Sequence, residues 1–191
     1  REVMKLKGRE LSIAVETIKE IEGVVFREEQ QMLYNVKTHK DIAGMYGMQA
    51  DSIQAYVSRE KDWYMIFEER EDTIYIADLG AINGVNSQGQ GERKTERLSQ
   101  SVEVMESVYG LMLEAGEKGK SIMLNATDDT SYLNIQNMAE KGIIRIKRSR
   151  GRQWIGDSEI GMHDMEITVD TEKMKEEKEK VSRYRKRLEE R

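Results

Sequence analysis

The sequence predicts a mixed α/β fold, a central sheet flanked by helices, and three observations carry that prediction. Short runs of β-branched and aromatic residues recur between longer stretches of helical periodicity. Strands and helices interleave along the chain instead of separating into blocks. One glycine-rich loop joins a strand directly to a long helix. At 191 residues the chain suffices for one well-cored domain with appendages, and not for two large ones.

The elements follow in order. Leu11, Ala14, Val15, Ile18 and Ile21 recur at three- and four-residue steps among Arg9, Glu10, Glu16, Lys19 and Glu20, so an amphipathic helix is expected over residues 9–22, stopped by Gly23. Residues 32–37, Met-Leu-Tyr-Asn-Val-Lys, read as a short strand. Thr38 then offers a hydroxyl to cap a helix start, and Asp41 a carboxylate to reach back, giving a helix to about Tyr46. His39 within that cap is read as a solvated surface residue, and a second helix is expected over residues 50–58.

Residues 63–67 and 73–77 are strands of a hairpin whose turn is the charged stretch 68–72. After Ile82 comes a polar loop, Asn83-Gly84 and then Asn86-Ser87-Gln88-Gly89-Gln90-Gly91. A long helix runs from Glu92 to about Ala115, with Leu98, Val102, Met105 and Met112 on one face and Gly116 and Gly119 as stops. Residues 121–124 are apolar enough for a buried parallel strand. A helix over 130–141 stops at Gly142, strands follow at 143–147 and 165–169, and a charged helix begins at Thr171. In that last helix Met174, Val181 and Leu188 repeat every seven residues, a seam suited to docking on the chain or to self-association.

Composition narrows the chemistry. There is no cysteine, so disulfides, thiolate metal sites and cysteine nucleophiles are excluded. His39 and His163 are the only imidazoles, and no metal site is expected. The net charge of -5 speaks against a general nucleic-acid footprint. Arg145, Lys147, Arg148, Arg150 and Arg152 do form a dense basic cluster, read first as an exposed strand with a solvated turn and alternatively as a surface for an anionic partner, nucleic acid or an acidic protein. No apolar run approaches the roughly 20 residues that cross a bilayer, and nothing near Arg1 reads as a signal peptide. The expected setting is cytoplasmic.

The loop at Asn86 to Gly91 is the most informative feature. A glycine-rich turn between a strand and a helix exposes consecutive backbone N–H groups, and the helix N-terminus adds partial positive charge. Such a loop suits a phosphate or pyrophosphate, although glycine loops before helices are often only turns. In context, the order of elements resembles the GNAT-type N-acetyltransferases, whose loop reads Gln or Arg, two residues, Gly, one residue, then Gly or Ala. Here Asn86 stands in the first position, with Gly89 and Gly91 in the glycine positions. Leu111 to Gly119 resembles the end of the family's helix and Ser121 to Leu124 its fifth strand. Met138-Ala139-Glu140-Lys141-Gly142-Ile143 resembles its Tyr-Glu-Lys-x-Gly-Phe segment, and the hairpin from Ile143 its last strands.

The resemblance covers about three quarters of the chain. It implies a mixed, mostly antiparallel sheet and three segments: an N-terminal helical extension over 1–31, an acyl-CoA-binding domain over 32–170 and a charged C-terminal helix over 171–191. It further implies an acyl-CoA-dependent N-acyltransferase that carries an acyl group from acetyl-CoA, or another acyl-CoA, to an amine on a small molecule or protein. Asn86, Gln88, Gly89, Gln90 and Gly91 would hold the pyrophosphate, and the backbone at Leu79 and Ala81 the thioester. Asp78 or Glu69 would take the amine's proton.

Three departures favour the alternative of a catalytically inactive interaction module within a larger assembly. Met138 occupies the position of a tyrosine acid, Ser131 that of an asparagine, and the helix after the loop is longer than usual around Arg93 to Gln100. Tyr132 is a substitute acid only if the helix begins elsewhere. The terminal helices would then serve a protein partner or a homo-oligomer.

Overall fold

The computed structural model describes residues 2–25, 30–82, 91–126, 129–150, 153–155, 158–160 and 163–190. The chain opens with β1 (Val3–Lys7), a 3-10 helix (Gly8–Ala14), α1 (Val15–Val25), α2 (Gln30–Leu33) and α3 (His39–Met45). Three strands follow, β2 (Ile53–Ser58), β3 (Trp63–Glu69) and β4 (Thr73–Ala81), then α4 (Gly91–Glu117), β5 (Ser121–Ala126) and α5 (Asp129–Glu140). The remainder is β6 (Ile144–Arg150), a small hairpin of β7 (Gln153–Ile155) and β8 (Ser158–Ile160), β9 (His163–Val169) and α6 (Thr171–Glu189).

Seven strands form one open sheet in the order β1-β2-β3-β4-β5-β9-β6. β4 and β5 run parallel, the arrangement expected for residues 121–124, because the 27-residue α4 carries the chain back between them. The β1–β2, β2–β3, β5–β9 and β6–β9 ladders are antiparallel. The sheet is thus mixed and mostly antiparallel, as expected.

The chain divides into two compact units, one of Arg1–Glu68, Ala77–Ser107 and Ser182–Arg191, the other of Glu69–Ile76 and Val108–Val181. In the first, Leu11, Ala14, Val15, Ile18 and Ile21 are all buried, the face that the periodicity predicts. The helix bearing them begins as a 3-10 turn and runs past Gly23 to Val25. Every residue from Trp63 to Phe67 is buried, as suits a strand with neighbours on both sides. Thr38 caps α3 through a reciprocal pair with Asp41, whose N–H lies 3.4 Å from the Thr38 hydroxyl while its carboxylate accepts from the Thr38 N–H at 2.9 Å. In the second unit Ile74, Leu111, Met112, Ala115, Ile122, Ile144, Met165 and Ile167 make the core. Gly142 ends α5 at φ +72°, where a side chain would be strained.

Three local expectations are corrected. Residues 32–37 are not a strand: Leu33 closes α2, and Val36 bonds back to the Leu33 carbonyl at 3.1 Å. The first strand of the sheet is instead β1, inside the segment expected to be helical. Residues 50–58 are not a helix, because Ile53, Ala55 and Val57 alternate into the core and pair with β3.

The seam on α6 is occupied within the chain. Met174 and Leu188 are buried, Arg185 pairs with Glu106 of α4 at 3.1 Å, and Lys178 lies against Gly110. Glu166 on β9 faces Lys147 at 3.5 Å and Arg148 at 3.6 Å, so part of the basic cluster is neutralised locally. No helix among the described residues is long and apolar enough to cross a membrane.

Candidate active site

β4 carries the central residues. Asp78 and Gly80 stand two apart on one face of the strand, and Tyr64 of β3 packs there. A Cβ at Gly80 would sit 2.7 Å from Tyr64 Cε1, so only glycine lets the ring lie flat enough to reach Asp78. The Tyr64 hydroxyl is 2.7 Å from Asp78 Oδ2 and 2.6 Å from Glu22 Oε2, near the end of α1. The Tyr46 hydroxyl, just past α3, is 2.5 Å from Asp78 Oδ2 and 3.0 Å from Glu22 Oε2. Four elements thus bring two carboxyl groups and two phenols into one cluster in the first unit.

Its electrostatics follow from burial. Glu22 is only 3% exposed, and loss of water together with the Asp78 charge pushes its carboxyl up to about 8. The same burial, with the charges of Asp78 and Glu22, raises both tyrosines well above the usual phenol range, so both hydroxyls keep their protons. A buried carboxyl group that titrates near neutral pH is suited to general acid–base chemistry.

Glu69, the other carboxylate expected from the sequence, sits elsewhere. Its Oε1 accepts from Lys118 at 2.8 Å and Lys120 at 2.9 Å in the second unit. Those two ammonium groups hold its carboxyl down at about 2. A carboxylate so stabilised has little pull on an amine proton. Asp78 belongs to the first unit and Glu69 to the second.

Leu79 is exposed and Ala81 half-buried on the last turn of β4. The ladder with β5 extends only from Thr73↔Ser121 to Ile76↔Leu124. The Ile82 N–H donates to the Asp62 carbonyl at 2.9 Å, so alternation aims the Leu79 and Ala81 N–H groups at the opposite edge. Asn86, Gln88, Gly89 and Gln90 lie outside the described residues, and Gly91 is the first residue of α4. Ser131 and Tyr132 fall in the first turn of α5, and Met138 is half-buried near its end.

Glu22, Tyr46 and Tyr64 escaped sequence reasoning. Tyr64 stands within a run that reads as a strand, and Glu22 is not among the residues that the sequence singles out. The one available signal is that Glu22 follows Ile18 and Ile21 on the apolar face, an odd position for a carboxylate.

No family model matches the sequence, and no curated protein matches it. Solved structures do match. The ribosomal-protein-S18-alanine N-acetyltransferase from Escherichia coli is similar at a TM-score of 0.50 and 9% identity, over 88% of this chain and 94% of that one. A ribosomal L7/L12 alpha-N-protein acetyltransferase in complex with coenzyme A gives the same score, identity and coverage. At this identity the likeness is one of fold. The chain has the fold of the GNAT-type N-acetyltransferases.

Proposed function

We propose that the chain is an acyl-CoA-dependent N-acyltransferase, acting in the cytoplasm on an amine of a small molecule or protein. One observation carries the reading: within an acetyltransferase fold, Asp78 on β4 is gripped by two tyrosine hydroxyls beside a buried second carboxyl group. The amine nitrogen would attack the thioester carbonyl carbon as the C–S electrons leave with sulfur and Asp78 receives the N–H proton. N–H groups at Leu79 and Ala81 would hold the carbonyl oxygen, where negative charge develops. The loop from Asn86 through Gln88, Gly89 and Gln90 to Gly91 would take the pyrophosphate, Gly91 contributing from the start of α4.

The second reading, a non-catalytic module that engages a partner, is favoured by Met138. A thioether has no proton to give a departing thiolate. Thiol release from acetyl-CoA over a panel of amines separates the two. Asp78→Asn is expected to lower turnover at least 100-fold while acetyl-CoA affinity is kept. A folded protein that binds acetyl-CoA but releases no thiol above the Asp78→Asn background would count for the module.

A further inference from the structure

The cluster holds more acid than a single base requires. Tyr46 and Tyr64 have one hydroxyl proton each, yet four tyrosine–carboxylate contacts of 2.5 to 3.0 Å surround Glu22 Oε2 and Asp78 Oδ2. Two ionised carboxylates would share two donors and repel each other. One further proton on the pair supplies a third donor and removes the repulsion. Glu22, on the buried side, is where that proton sits; Asp78, half-exposed on β4, is where one can arrive. The groups that act on the Glu22 carboxyl are Asp78 from β4, Tyr64 from β3 and Tyr46 from the end of α3, with no cation among them.

We propose that Glu22 is a positioning residue that makes Asp78 and itself a single base, the two tyrosine hydroxyls bridging them. The proposal rests on the acyltransferase reading. In the doubly ionised form the pair takes one proton from the attacking amine at Asp78 as the C–N bond forms and the C–S bond breaks. The proton is then shared with Glu22, and leaves to the thiolate or to water. The buried carboxyl at about 8 brings that proton affinity close to an amine's, which an isolated carboxylate would not reach.

The test follows carbon-13 resonances of the side-chain carboxyls in the resting chain from pH 5 to 9.5, beside kcat/KM for the reactive amine over the same range. One glutamate should titrate near pH 8 in the natural chain, vanish in Glu22→Gln, and fall back toward the ordinary range in Asp78→Asn. Glu22→Gln keeps the shape of the protonated carboxyl, so folding is retained. In it the alkaline rise of kcat/KM should move to lower pH and the plateau should drop by about 10-fold or more. No glutamate titrating above about pH 6 would overturn the proposal. So would a Glu22→Gln profile that overlays the natural one. A chain whose pair titrates near pH 8 but which acylates no amine counts against the acyltransferase reading and leaves the shared proton standing.

Discussion

Glu22 fixes the sign of the molecule's pH response. Its carboxyl is ordinary in the unfolded chain and raised to about 8 in the folded one, so between those values the folded state binds the extra proton. The associated stability is complete below about pH 4.5 and is lost as pH rises through about 8. Urea midpoints should therefore fall across that window for the natural chain and stay flatter for Glu22→Gln. Glu69 has the opposite sign: held at about 2 by Lys118 and Lys120, it contributes above its unfolded value and is lost only as pH drops toward 2. Gly80→Ala puts a methyl 2.7 Å from the Tyr64 ring, and is expected to cost about 1–3 kcal/mol by denaturation and to abolish acyl transfer. The resemblance implies Asp78 or Glu69 as the base, and the sequence does not choose between them. The partners of Asp78 were not legible, because Glu22 and Tyr64 lie 42 positions apart and meet only through the fold.

Elements were legible wherever one periodicity ran unopposed. The long helix, the hairpin after Gly142 and the buried face of α1 follow from spacing alone. β2 differs from the helix expected over 50–58 because Ile53, Ala55 and Val57 step inward by two, the period of a strand. β1 was passed over because only Met4 and Leu6 alternate with Lys5 and Lys7, too few turns of the pattern to stand out. Residues 32–37 resemble a strand because Leu33 and Val36 are apolar, yet Leu33 closes α2 and Val36 lies in the turn beyond it, its N–H bonded to the Leu33 carbonyl. Thr38→Ala should remove the cap of α3 and lower stability by about 1 kcal/mol in urea titration. Gly116→Ala, by contrast, presses a methyl 2.7 Å from Thr171 Cγ2 where α4 meets the start of α6, and should cost about 1–3 kcal/mol.

The molecule as a whole joins a familiar chain path to an unfamiliar set of side chains. The fold is that of N-acetyltransferases whose sequences agree with this one at 9% of positions, with a mixed, mostly antiparallel sheet in which β4 and β5 run parallel. The resemblance sets Met138 against a tyrosine acid, and a second buried carboxyl stands beside the proposed base. Of the readings open for the α6 seam, a solvated helix, docking on the chain or self-association, burial of Met174 and Leu188 within the chain supports docking and weakens the case for assembly through that helix. The interaction-module reading therefore rests on Met138 more than on the termini. Calorimetric titration with acetyl-CoA tests the central claim most directly, comparing the natural chain with one carrying Gly89→Asp and Gly91→Asp. Saturable binding by the natural chain, lost in the folded double variant, is the predicted result; no heat from a folded natural chain, or binding unchanged in the variant, would contradict it.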